Sequence, residues 1–267
     1  MQWWTKHIQV NVPFGMLHDE YLERFAGGGL NPEIGFGAEA LDRFRMSDYR
    51  SVAERLHAAG LSITCHGPFM DLSPAGRDPL IRDVTRRRFE QVLEVLPIFQ
   101  PLSLVCHAGY DRRRYGFMKG EWLEKSADTW SWLAERLADS GVRLMLENVY
   151  EDGPGDLIAL FERLSGLGVG FCLDTGHQAA FGQAPLTAWL ETLGPFLGQM
   201  HLHDNCGGGD DHLALGRGSI DFDPLFEYLD SRSEELPILT LEPHQEADLQ
   251  PSLDYLSRVW RWKGRAR

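Results

Sequence analysis

Short apolar runs that end in a polar residue recur along the whole chain and alternate with longer segments of helical periodicity. Such an alternation predicts repeated strand and helix units and a parallel sheet. Eight strand candidates lie at 8–12, 32–36, 62–66, 102–107, 143–148, 169–174, 199–203 and 238–242. Eight is the number of strands that closes a parallel α/β barrel.

The segments between these runs carry apolar residues at three- and four-residue spacing, as amphipathic helices do. They predict helices at 38–45, 48–59, 79–97, 121–140, 156–164, 186–193, 223–231 and 249–260. A chain of 267 residues also has the length at which α/β barrels fold as one domain. We therefore predict a single-domain (β/α)8 TIM barrel with parallel strands over residues 1–267.

A doubly wound open sheet is the alternative fold. It would normally carry a glycine-rich phosphate loop after the first strand. The segment NVPFGMLHDE at this position is not such a loop, and this favours the barrel.

The composition limits the classes of partner. A formal net charge of −13 argues against a general nucleic-acid partner, while leaving room for a local basic groove. The beginning of the sequence, MQWWTKHIQVNV, has no apolar stretch of signal-peptide length, and no segment is apolar enough to cross a membrane. The four cysteines form no CxxC pair, so we expect a reducing, cytoplasmic location without membrane contact.

Polar side chains collect at the carboxyl ends of six strand candidates and in the loop after the seventh, where barrel enzymes place their sites. They are His66, His107, Glu147, Asp174, His177, His201, Asp210, His212 and Glu242. A lone histidine or carboxylate at such an end is usually structural or caps a helix. Six such ends in one barrel share one mouth, and burying four carboxylates together there without cations would be prohibitively costly.

This donor set therefore predicts a metal site. It exceeds what one tetrahedral zinc can use, and carboxylates can bridge two ions, so more than one ion is expected. Imidazole-rich coordination favours zinc, with iron, nickel, manganese or magnesium as alternatives.

The segment LDTGH and the Asp-x-His pair in DDH are the most specific motifs in this set. With the other strand-end residues they resemble the xylose isomerase-like barrel superfamily, or AP endonuclease family 2, which includes endonuclease IV and sugar-phosphate isomerases and epimerases. The resemblance covers nearly the whole chain. It implies three zinc ions, the first held by His66, His107 and Glu147, the second by Glu147, Asp174, His201 and Glu242, and the third by His177, Asp210 and His212.

Two activities are compatible with this resemblance. In a phosphodiesterase, Glu147 and Glu242 would fix the spacing of the first two ions; in an epimerase, they would shuttle a proton beside a carbonyl. Many such epimerases carry an arginine where this chain has Gly207, and they commonly lack the Asp-x-His pair. Both departures favour the hydrolytic interpretation. A barrel that only binds a metabolite through its metal is the third alternative.

The expected substrate is a small anionic molecule. Arg112, Arg113 and Arg114 follow the fourth strand closely, and Arg217 is a weaker candidate for the same contact. Phe69 and Tyr110 are further candidates, and together with Met16, Met70 and Phe117 they would form an apolar wall from loops at the mouth.

DNA repair by cleavage at abasic sites is a further alternative. The second-strand loop GFGAEALD lacks the arginine and aromatics of a DNA wedge, and Phe69 stands where repair enzymes often have tyrosine. The superfamily also contains a cobamide-remodelling phosphodiesterase branch, which cleaves the nucleotide loop of corrinoids. Segments NVPFGML, NPEIGF and HGPFMDLSPAGRDPLIRDVTRRRF are similar to that branch.

Overall fold

The computed structural model describes residues 7–232 and 236–259. Eight strands close a barrel in sequence order, and every neighbouring pair is parallel. The strands are β1 (Ile8–Pro13), β2 (Asn31–Gly35), β3 (Thr64–His66), β4 (Ser103–His107), β5 (Arg143–Glu147), β6 (Gly170–Asp174), β7 (Leu197–Leu202) and β8 (Ile238–Leu241). The predicted parallel (β/α)8 barrel is confirmed.

Helices pack outside the strands and bury large apolar side chains against them. They are α1 (Phe14–Met16), α2 (Leu22–Gly28), α3 (Ala38–Arg43), α4 (Met46–Ala58), α5 (Pro79–Phe99), α6 (Arg112–Tyr115), α7 (Lys119–Leu137), α8 (Ile158–Leu164), α9 (Thr175–Phe181), α10 (Leu186–Leu193), α11 (Asp223–Ser231) and α12 (Glu246–Val259). Local sequence sets their ends. For example, Asp78 caps α5 by accepting a hydrogen bond from the backbone N–H of Leu80.

The segment after β1 is helical, although the sequence analysis predicted a loop there. A π-helical turn, Leu17–Tyr21, joins α1 to α2, so that Met16 lies in a helix. Phe14, Leu17 and Phe25 are buried, and their spacing is the helical signal that the analysis missed. Phe117, also expected in a loop, lies in a 3-10 turn, and the predicted end of the last helix at residue 260 is outside the described residues.

Alternating side chains of the strands place a polar layer inside the barrel. Because the side-chain period of a strand is two, Gln199 and His201 face the same interior side. Gln199 donates to Glu33 of β2 and to Thr240 of β8 across that interior. This layer lies one step below the strand ends and supports the side chains at the mouth. Among the described residues no helix is long and apolar enough to cross a membrane.

Candidate metal centre

The carboxyl ends of six consecutive strands, β3 to β8, bring the predicted ligands together at one mouth of the barrel. His66, His107, Glu147 and Asp174 end their strands, His201 lies near the end of β7, and Glu242 directly follows β8. His177 lies in the first turn of α9, and Asp210 and His212 lie in the loop after β7.

Glu147 is the centre of the arrangement, because its two carboxylate oxygens face different groups. Its Oε2 lies 3.0 Å from His66 Nε2 and 3.6 Å from His107 Nε2. Its Oε1 lies 3.3 Å from His201 Nδ1. A carboxylate in this position can bridge two ions.

The second group gathers around His201, which is fully buried. Its Nδ1 atom lies 3.1 Å from Glu242 Oε1 and 3.9 Å from Asp174 Oδ2, in addition to the contact with Glu147. Three carboxylates therefore face one imidazole nitrogen, as expected of groups that share a cation.

The third group lies further out and centres on Asp210, whose Oδ2 is 3.1 Å from His212 Nε2 and 3.4 Å from His177 Nε2. Backbone carbonyls of Glu242 and Asn148 lie 2.9 and 3.0 Å from the Nδ1 atoms of His212 and His177. If each Nδ1 carries a proton and donates it to its carbonyl, the lone pair of each Nε2 points toward Asp210. Both Nε2 atoms can then bind a metal ion next to this carboxylate.

A short antiparallel bridge between Asp204 and Leu213 holds the loop of the third group over the barrel. The Asp204 carboxylate accepts hydrogen bonds from the backbone N–H groups of Asn205, Gly216, Gly218 and Ile220. Asp204 therefore fixes both sides of the loop that presents Asp210 and His212.

The donors fit divalent metal ions. Two ligands of a tetrahedral zinc, each at about 2.0–2.1 Å, are about 3.3 Å apart, and the donor separations above lie close to this value. His201 Nδ1 and Asp210 Oδ1 are buried and, within the described residues, make no aligned hydrogen bond. Such polar atoms are costly to bury unless something binds them.

Electrostatics at the mouth also suit metal binding. Burial lowers the pKa of His107 to about 3, so its imidazole is neutral at physiological pH and can act as a ligand. Burial raises the pKa of Glu242, although the positive charge of His201 acts to lower it. For Glu147, burial acts to raise the pKa. The charges of His201 and His107 and hydrogen bonds from histidines outweigh this effect, so the pKa of Glu147 lies well below its usual range.

Two polar residues beside this site were missed by the sequence analysis. Glu33 of β2 places Oε1 3.0 Å from His201 Nε2, and His203 places Nε2 3.2 Å from Asp174. His203 also stacks on His212 with ring centroids 3.8 Å apart. Because His203 directly follows β7, two residues after His201, their spacing was a usable signal, whereas a glutamate in the strand NPEIG gave none.

A cavity of about 1250 Å³ opens over the donors and extends toward β1 and β2, whose ends carry no metal-ligand candidates. There it is lined largely by apolar side chains, including Val12, Pro13, Met16, Phe25, Leu30 and Phe36. Phe69 also borders the cavity and stacks on His107 at 4.3 Å, while Tyr110 borders it as a buried side chain. The expected apolar wall is thus present in part, without Phe117 among the lining residues.

The structure separates the four candidate arginines. Arg114 borders the cavity and, within the described residues, pairs with no carboxylate. Arg112 is an exposed side chain that pairs with Asp152. Arg113 and Arg217 are exposed and do not line the cavity. Only Arg114 is placed to meet a ligand there.

Residues 32–259 match the family model described as xylose isomerase-like TIM barrel. Among curated proteins, MJ1311 of Methanocaldococcus jannaschii is 28% identical over 176 residues, which are 63% of this chain and 60% of that protein. The Mycobacterium bovis protein named "Probable endonuclease 4" is 28% identical over 189 residues, 66% of this chain and 71% of that protein.

Solved structures share the fold over almost the whole chain. TTHB071 of Thermus thermophilus, from a crystal soaked with ZnCl2, has a TM-score of 0.81 and 28% identity and covers 95% of this chain and 98% of its own. D-psicose 3-epimerase of Clostridium cellulolyticum, with D-tagatose, has a TM-score of 0.76 and 17% identity, covering 95% and 99%. At that identity the epimerase shows the fold alone.

Proposed function

Because this chain belongs to the xylose isomerase-like TIM barrel family, we propose that it is a metal-dependent hydrolase of phosphodiesters that binds up to three zinc ions. The main support for this proposal is the third donor group, in which Asp210 lies within 3.4 Å of both His177 and His212. Proton transfer beside a carbonyl needs only the groups around Glu147 and Glu242. The third group adds a cation site at the open side of the centre, where a leaving group would lie.

The chain's own residues have separable tasks in this proposal. Bound divalent ions would lower the pKa of water and neutralise charge on phosphoryl oxygens. Glu147 would hold the first two groups at a fixed separation, since Oε2 faces His66 and Oε1 faces His201, with His177 also close to Oε1. Glu242 would hold the ion of the second group together with His201, whose Nδ1 it also faces. Arg114 would orient the anionic substrate from the cavity wall.

The cavity supports an organic phosphodiester of small or medium size. Its volume of about 1250 Å³ exceeds the usual range of small-molecule sites, roughly 300–1,000 Å³. That space is large for a monosaccharide, and its apolar lining toward β1 and β2 suits a bulky organic group. Together with the net charge of −13, this favours a substrate such as the nucleotide loop of a corrinoid over DNA.

Metal content per chain, measured by elemental analysis, tests the proposal first. We expect close to three equivalents of zinc in the wild type and close to two in His212→Ala. His244→Ala is the matched control, because His244 stacks on His212 at 3.6 Å but belongs to none of the three donor groups. Hydrolysis of bis(p-nitrophenyl) phosphate and of corrinoids follows on the same samples. One equivalent of manganese or magnesium, unchanged in His212→Ala, would overturn the proposal.

A sugar or sugar-phosphate epimerase is the second candidate, and the placement of Glu147 and Glu242 next to the same His201 nitrogen favours it. Exchange of solvent deuterium into a ketose would identify it. Cleavage at abasic sites in DNA is the third candidate, supported by the similarity to the Mycobacterium bovis protein. Incision of a duplex that contains one abasic site would identify this activity.

A further inference from the structure

Glu33 is a fully buried carboxylate beneath the metal centre, and its two oxygens have different partners. Its Oε2 accepts hydrogen bonds from Thr64 Oγ1 and Thr240 Oγ1, both at 3.1 Å, and from Gln199 Nε2. Its Oε1 lies 3.0 Å from His201 Nε2. One oxygen is therefore fixed by three donors, and the other faces the imidazole and accepts one hydrogen bond, from Asn11 Nδ2 at 3.3 Å.

His201 lies between two sets of carboxylates. Its Nδ1 faces Glu147 and Glu242 in the second donor group, whereas its Nε2 faces Glu33. The carboxylates that face Nδ1 would share a metal ion in the proposed site, whereas Glu33 lies beneath it, so the Glu33 oxygen 3.0 Å from Nε2 favours the ring proton on that nitrogen. The neutral ring must then present its remaining lone pair at Nδ1.

We propose that Glu33 is a positioning residue that keeps His201 in the tautomer protonated at Nε2, so that Nδ1 binds the metal ion of the second group. This rests on the metal sites of the proposed function, but it concerns ion binding and not the reaction. Partners beyond the ligands commonly set ligand tautomer and orientation, and changing one lowers metal affinity by roughly 10–100-fold.

The surroundings of Glu33 make glutamine an informative replacement. In Glu33→Gln the three donors around Oε2 outnumber the single Asn11 donor to Oε1, so they favour the amide oxygen at the Oε2 position and turn the amide NH2 toward His201 Nε2. That nitrogen would then have to accept a hydrogen bond, and the ring proton would move to Nδ1. A substitution of nearly the same shape should therefore reverse the tautomer and remove the lone pair from the metal.

The first measurement uses the wild type alone. Long-range 1H–15N spectra of the zinc-loaded protein, with the His201 signals identified by a His201→Asn variant, should show a proton on Nε2 and none on Nδ1. A proton on Nδ1, or no ion bound to the second group, would overturn the inference. This readout does not depend on the folding of any Glu33 variant.

The second measurement compares zinc affinities by chelator competition. Glu33→Gln should weaken binding at the second group by roughly 10–100-fold and leave the ion held by His177, Asp210 and His212 in place. Glu33→Asp, which keeps the charge, should recover part of this loss. Thr64→Val is the matched control, because it removes one donor to Oε2 without touching His201, and it should bind zinc as the wild type does.

Wild-type zinc affinity in a folded Glu33→Gln protein would overturn the inference. Failure of the proposed function would look different. A protein that hydrolyses no diester but loses one zinc in Glu33→Gln would still support the role of Glu33, because neither readout measures turnover.

Discussion

Glu151 lies in the loop after β5 and is almost fully buried, although the candidate metal centre does not use it. Its Oε2 accepts a hydrogen bond of 2.6 Å from the backbone N–H of Val149, while Oε1 is buried and accepts no well-aligned hydrogen bond from any described residue. Burial raises the pKa of Glu151 to about 8, against a usual value of 4.5, and the backbone hydrogen bonds only partly oppose this. The folded protein therefore holds a neutral carboxylic acid here at neutral pH.

This shift makes stability depend on pH. Between pH 4.5 and about 8 the folded state binds one more proton at Glu151 than the unfolded state. The stability that this proton contributes is fully present below pH 4.5 and is lost as the pH rises through about 8. Since one pKa unit corresponds to about 1.4 kcal/mol, the total effect is at most about 4–5 kcal/mol.

The assay compares wild type with Glu151→Gln in urea denaturation at half-unit steps from pH 5 to 9, with chelator present in all samples. The variant cannot ionise at this position, so its free energy of unfolding should rise relative to the wild type by up to about 1.4 kcal/mol per pH unit. Glu54→Gln is the control, because Glu54 is exposed and lies in solvent in the folded and unfolded states alike. A stability difference between Glu151→Gln and wild type that stays flat across this range would refute the reasoning.

Three further substitutions test the site and its support. Arg114→Ala should raise KM for an anionic diester by about tenfold, equivalent to about 1.4 kcal/mol, while Arg112→Ala should change it little because Arg112 already pairs with Asp152. Gly176→Ala should lower the free energy of unfolding by about 2–3 kcal/mol, because a Cβ there would lie 1.8 Å from the His203 ring; Gly155→Ala, with open space around its Cβ, is the control for the urea measurement. Asp204→Asn should weaken charge-assisted hydrogen bonds to four backbone N–H groups, each worth about 1.5–3 kcal/mol. Because these bonds hold the loop of the third group, elemental analysis should show the loss of about one equivalent of zinc, as in His212→Ala.

The barrel was predictable because strand and helix periods differ, and the two alternate throughout the sequence. All eight strands lie within two residues of their predicted bounds. The helical segment after β1 was missed because Pro13, Gly15 and the glycines at 27–29 resemble a turn signal, while Phe14, Leu17 and Phe25 carry the helical spacing. Tertiary burial of these three side chains decides the conformation there.

The strand-end donors could be predicted because the carboxyl ends of barrel strands meet at one mouth whatever the loops do. Glu33 could not, since its role depends on a contact with His201 across the barrel interior. The arginines show a second limit. Arg112, Arg113 and Arg114 are adjacent in sequence, but the short helix α6 turns them in different directions, and only Arg114 reaches the cavity wall.

Charge balance connects the buried layer, the metal centre and the substrate. Five carboxylates converge at or directly beneath the mouth, from Glu33, Glu147, Asp174, Asp210 and Glu242. Without metal, protonated histidines oppose this charge; the pKa of both His177 and His201 is raised well above its usual range by neighbouring carboxylates, against burial. One divalent ion with neutral histidines would leave a charge of −3, whereas three would leave +1. A site of charge +1 attracts a phosphodiester monoanion, so the same carboxylates that demand several cations also account for an anionic substrate in an acidic protein.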